Sequence, residues 1–198
     1  MTDSGKELSG SIRQFRKMFI DLSKLLQTVD ELMRNEGWVY PPSDRGSQNN
    51  VVLAASATIN YPERWMPYVL FRFYTKPNRP SILSYVSVLL DDDVDGEYRL
   101  EEPLVTAGFF DYGNKEADQW EAWWCKWHMY SDEADRKDDG SVISSYGGWK
   151  EEWKKEEQGI TYPFEEFKVF ARPLVELTTP EIVKAKITDE LLKLLEVA

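Results

Sequence analysis

A chain of 198 residues fits one domain, and a domain of this size buries roughly 70% of its unfolded surface without help from disulfides or structural metal. Its single Cys excludes an internal disulfide framework and points to a cytoplasmic protein; no window approaches the roughly 18 apolar residues that cross a bilayer. The formal net charge of −11 argues against general binding to nucleic acid or anionic membranes, because that affinity comes from Lys and Arg neutralising phosphates. The charge is uneven: residues 38–80 hold five basic and two acidic residues, whereas 81–160 hold eight basic and twenty acidic ones.

Residues 7–36 predict one long helix. Ile12, Phe15, Phe19, Leu22, Leu26, Val29 and Met33 alternate in steps of three and four, a seam of three heptads. Met18, Leu25 and Leu32 widen that seam beyond a strict two-stranded coil, which favours packing on a sheet and a second helix. A helix shared across a homodimer is the alternative. Ser4 with Glu7, and Ser11 with Gln14, both fit a capping box, and Gly37 is placed to end the helix.

A breaker-rich loop, 41–50, precedes a change to period two. Four strands are expected: 51–60, 69–74, 82–90 and 104–110, separated by turn signals such as Lys76-Pro77-Asn78-Arg79-Pro80. The connections are too short for helical crossovers, so the sheet is antiparallel. Ala54, Ala55, Ser56 and Ala57 leave room on the first strand for a bulky neighbour. On the second strand Arg72 and Lys76 share a parity with Tyr68 and Tyr74, which groups cations and phenols on one face. Such a face either binds an anionic or aromatic ligand or is plain outer surface.

Asp91 to Glu102 matches the calcium-loop pattern D-x-D-x-D-G-x5-E. A β-like run precedes it and Pro103 follows, whereas that loop needs helices on both sides. A solvated hairpin turn with Asp95-Gly96 at its tip is the better expectation.

Residues 115–137 predict a second helix. Trp120, Trp123, Trp124 and Trp127 fall at i, i+3, i+4 and i+7 and share one face, as the wall of a core, a pocket or an interface. Glu121, Cys125, His128 and Asp132 share another face. They are metal-ligand types, but four turns of one straight helix span too far for one ion, so no metal site is assigned. A Cys125–His128 dyad would sit mid-helix in an acidic segment, where a thiolate is disfavoured. His128 is the only His, no Gly-x-Ser-x-Gly elbow is present, and no Gly-rich phosphate loop appears.

Asp132 to Gly140 reads as an exposed acidic end, and a short amphipathic stretch follows with Trp149 and Trp153 at i, i+4. Residues 164–174 predict a fifth strand. Its Glu166-Phe167-Lys168 has the carboxylate-and-Lys spacing of some metal-dependent nucleases, with an upstream carboxylate to come from Asp91 to Asp93. Thr179-Pro180-Glu181 starts a last helix, with Thr as N-cap, running to about Glu196 with a break near Thr188.

The expected fold is a single α+β domain over 1–198. A four- to five-stranded antiparallel sheet is packed by the long N-terminal helix, the Trp-rich helix and a C-terminal helix. The expected function is a non-enzymatic protein-binding or regulatory module with an aromatic, acid-rimmed contact surface, in which Trp149 and Trp153 anchor a protein partner. The second reading is a small-molecule-binding domain or enzyme with Tyr68, Arg72, Tyr74, Trp124 and His128 around a pocket between sheet and Trp helix. The third is a metal-dependent hydrolase using Asp and Glu. No cofactor is implied.

Overall fold

The computed structural model describes residues 3–41, 52–54, 67, 69–90, 102–117, 135–136, 142–147, 165–196 and 198. Helix α1 (Asp3–Asn35) opens the chain. It starts upstream of both expected caps. Ser9 and Ser11 instead bond back to the carbonyls of Gly5 and Glu7, as hydroxyls do inside a helix.

The end of α1 is fixed by Gly37, whose φ of 81° suits glycine. Trp38 N–H bonds to the Met33 carbonyl and Gly37 N–H to the Arg34 carbonyl, which is the Schellman arrangement. Its usual apolar contact is present too, since Trp38 and Met33 are buried in one cluster. The chain then turns onto the sheet, where Val39 pairs with Thr75 through two backbone bonds of 2.8 and 2.7 Å. A register shift between Tyr74 and Lys76 frees Thr75 for that pairing.

The sheet contains β1 (Val52–Ala54), β2 (Val69–Lys76), β3 (Arg79–Leu89), β4 (Leu104–Asp111), β5 (Asp135–Arg136), β6 (Val142–Gly147) and β7 (Glu166–Pro173). Their order is β1-β2-β3-β4-β7-β6-β5, and every neighbouring pair is antiparallel. β2 and β3 meet across a two-residue turn, Pro77-Asn78, with Lys76 opposite Arg79. The four long strands β2, β3, β4 and β7 fall where period-two patterning places them. β5 and β6 were not expected: Asp132 to Gly140 reads as an exposed acidic end, and no element is assigned between it and the amphipathic stretch with Trp149 and Trp153.

The Trp-rich helix expected over 115–137 has no helical turn at either described end. Lys115 N–H closes a turn on Tyr112, Ala117 N–H bonds to the Pro80 carbonyl, and Asp135–Arg136 pair as strand. Its interior lies outside the described residues, as do the Asp91–Glu102 loop and the stretch with Trp149 and Trp153.

A 3₁₀ turn (Leu174–Glu176) leads to the C-terminal helix: α2 (Pro180–Val183), a π turn (Lys184–Thr188) and α3 (Asp189–Glu196). Thr179 is the N-cap, its side chain accepting from Ile182 N–H, and Pro180 is the first helical residue, as expected. The π turn falls at the expected break. Val183, Ile187, Leu191 and Leu195 are all buried, yet they recur every four residues. At about 100° per residue each such step drifts about 40° around an α-helix. The wider π turn absorbs part of that drift and keeps the four on one face.

These helices pack on one sheet face. Leu22, Leu26, Val29 and Met33 of α1 join Leu70, Val86, Val88, Val105, Ala107, Phe109 and Phe170 of the sheet, with Val183, Ile187, Leu191 and Leu195 completing the cluster. The opposite face is also buried and aromatic. Phe71 stacks on Phe73 at 5.7 Å, Tyr85 on Phe110 at 5.3 Å and Phe110 on Phe167 at 5.2 Å. Among the described residues no helix is long and apolar enough to cross a membrane.

Candidate functional site

Alternation along β2 turns Leu70, Arg72 and Tyr74 to the helix side and Val69, Phe71 and Phe73 to the other. The cation–phenol face is therefore covered by α1 rather than bare. Two of the expected ligand-binding residues, Arg72 and Tyr74, come together there. Tyr68, Trp124 and His128 lie outside the described residues, so their positions relative to this pair are not described.

What joins Arg72 to Tyr74 is Asp30. It sits on the flank of the α1 seam, at the sheet-facing end of the helix. Arg72 grips its carboxylate with both arms of the guanidinium, Nε to Oδ1 at 3.1 Å and Nη2 to Oδ2 at 2.7 Å. Tyr74 donates its hydroxyl to Oδ1 at 2.7 Å. The side chains of Arg72 and Asp30 are 4% and 13% exposed, so the pair is largely removed from water. Tyr40, delivered by the Gly37 turn and the Val39 rung, closes the cluster: the Arg72 guanidinium lies 4.0 Å over its ring, and its ring stacks on Tyr74 at 6.0 Å.

Electrostatics fix the protons here. Burial, reinforced by the Asp30 charge and hydrogen bond, pushes the Tyr74 phenol well above its ordinary value. Burial acts in the opposite sense on Arg72, but its bonds to Asp30 outweigh it and the guanidinium is held above its ordinary value. Tyr40 is raised by burial first and by Asp30 second, with Arg72 and Arg34 pulling the other way. All three shifts lead away from neutrality, so these groups keep their protons at pH 7. They are suited to bind and orient through charge and hydrogen bonds.

Beside the cluster runs a groove of about 890 Å³ along α1. Phe19, Leu22, Leu26 and Leu70 line its apolar part; Gln27, Glu31 and Arg34 line its polar part with Tyr40 and Arg72. It is large enough for a small organic ligand.

The hydrolase residues take a different arrangement. Glu166 lies opposite Asp111 across β7 and β4, and the Lys168 ammonium is 2.9 Å from Glu166 Oε1. Among the described residues no group of three or more His, Cys, Asp or Glu side chains is placed to hold a metal ion.

The N-terminal half of α1 carries the second feature. Its seam residues Leu8, Ile12 and Phe15 are 64%, 45% and 44% exposed, whereas Leu22, Leu26, Val29 and Met33 on the same seam are buried. Residues 8–20 include Arg13, Arg16 and Lys17 and no acid. Comparison with protein-family models, with curated proteins and with solved structures returns no match.

Proposed function

We propose that the protein is a non-enzymatic binding module whose contact surface is the exposed N-terminal half of α1. The observation that supports this is the change along one seam, from buried at Leu22, Leu26, Val29 and Met33 to exposed at Leu8, Ile12 and Phe15. Three large apolar residues aligned on one helix face form the anchor pattern of helix-mediated recognition. They gain roughly 1.5–3 kcal/mol each on full burial. The raised values of Arg72, Tyr40 and Tyr74 fit the same reading, since all three keep their protons at pH 7. The expected anchors Trp149 and Trp153 would add to such a surface from elsewhere in the chain.

The test is quantitative affinity enrichment with the wild-type chain and an Ile12→Asp/Phe15→Asp variant of equal melting temperature as baits. A stoichiometric partner, either another protein or a second copy, is expected on the wild type and lost at least tenfold on the variant. Partners that all survive the double substitution overturn the proposal.

A small-molecule site in the groove beside α1 is the second reading, supported by its volume and by Arg72 and Tyr40 on its wall. Thermal-shift screening with small anionic and aromatic compounds tests it, with Tyr40→Ala expected to abolish any shift.

A further inference from the structure

We infer that the exposed half of α1 pairs with the same half-helix of a second copy of the chain, antiparallel, about a two-fold axis between Arg13 and Gln14. This rests on the contact surface proposed above and names its occupant.

The first argument is continuity. Leu8, Ile12, Phe15 and Phe19 repeat the four–three–four spacing that Leu22, Leu26, Val29 and Met33 use to pack in the core. This is the alternating a and d pattern of a helix pair. The protein's own sheet and C-terminal helix cover the seam from Leu22 onward and leave it open through Phe15. A further helix of matching pattern completes the row.

Direction follows from that boundary. A parallel pair would carry the two seams together past Leu22, where each is already occupied by its own sheet. An antiparallel pair places the two sheets at opposite ends of the contact, clear of each other. Its layers are Leu8 of one copy on Phe19 of the other and Ile12 on Phe15, each occurring twice by symmetry. Such a contact is isologous and closes at two copies.

The flanks fit this arrangement. Ser9 and Arg16 border the seam on one side, Ser11 and Met18 on the other. In an antiparallel pair like flanks meet, so Arg16 of one copy faces Ser9 of the other and Ser11 faces Met18. No like charges are opposed. The hydroxyls of Ser9 and Ser11 are spent on their own helix, so burying this border leaves neither without a partner. Arg13 and Lys17 point outward. An anionic bilayer would also accept a basic amphipathic helix; the matching spacing of the two seams favours the second copy. Four apolar residues per copy make an interface below about 1,200 Å², so the dimer is expected to be reversible and concentration-dependent.

Sedimentation velocity across a wide concentration series tests this on the full chain. The wild type is expected to move from monomer to dimer, and Ile12→Asp to remain monomeric at every concentration with an unchanged melting temperature. Ser9→Glu is expected to tighten the dimer about two- to fivefold by pairing with Arg16 across the interface, and Ser11→Glu is not. The reverse result, with Ser11→Glu tightening, would identify a parallel pair and overturn the proposal. A wild type that stays monomeric throughout overturns it as well. If Ile12 still controls the capture of another protein in that case, the contact surface survives and its occupant is different. Monomers that bind vesicles containing anionic lipid through Ile12 would likewise replace the second copy with a membrane.

Discussion

Asp30→Ala is the sharpest perturbation of the core. The substitution removes one carboxylate that holds two buried donors, the Arg72 guanidinium at 4% exposure and the Tyr74 hydroxyl. Breaking a buried pair by removing one partner costs about 3–5 kcal/mol, because the remaining charge loses the ion pair and the two-armed hydrogen bond that offset its burial. The orphaned phenol costs about 1–3 kcal/mol alone, but both losses share one acceptor and do not add fully. The expected total is about 4–5 kcal/mol. Against the 5–15 kcal/mol typical of a domain, that brings the protein close to unfolding at 37 °C. The assay is urea denaturation followed by far-UV circular dichroism, with the midpoint and slope compared between variants. Arg72→Met in the Asp30→Ala background is expected to recover part of the loss, since the buried charge that has lost its carboxylate leaves with it. A cost below about 1 kcal/mol for Asp30→Ala, or no recovery in the double variant, would refute the view that this triad is tightly coupled.

The raised Tyr74 phenol ties stability to alkaline pH: its contribution is fully present below the unfolded value of about 10 and is lost as pH rises toward the higher folded value. Stability of the wild type should therefore fall above about pH 10, and Tyr74→Phe should flatten that fall in pH-dependent urea midpoints. Gly108→Ala should cost more than about 1 kcal/mol, because a Cβ there runs into the Lys168 carbonyl and the Val169 backbone of the neighbouring strand, where no flexible side chain can give way; its thermal denaturation checks this. Thr179→Ala should lower stability by about 1 kcal/mol through loss of the cap on Ile182 N–H, and Thr179→Asp should retain it.

The elements with local signatures were legible in the sequence. Thr179-Pro180 and Gly37 mark helix ends because capping is decided within a few residues. β2, β3, β4 and β7 follow alternation that survives even though both sheet faces are buried. Burial along α1 was not legible. Ile12 and Phe15 obey the same spacing as Leu26 and Val29, and periodicity records which face is apolar without recording where the supporting sheet stops. A 33-residue helix is about 50 Å long, whereas the longest strand among the described residues, at 11 residues, reaches about 36 Å. β6, with Ser144, Ser145 and Gly147, has too little alternation to stand out from a turn. Asp30 carries no signal in the sequence, because one acid beside a helical seam looks like an ordinary solvated charge. Its pairing with Arg72 spans 42 positions and depends on the tertiary approach of α1 to β2. Arg72 and Tyr74 are marked by shared strand parity, a signal confined to one element.

Amide hydrogen exchange of residues 8–20 measured against protein concentration tests the contact surface most directly. Protection of these amides should rise with concentration in the wild type and stay at the low-concentration level in Ile12→Asp, while residues 22–33 remain protected in both. Exchange over 8–20 that is the same at every concentration and in both proteins would contradict pairing through this half of α1.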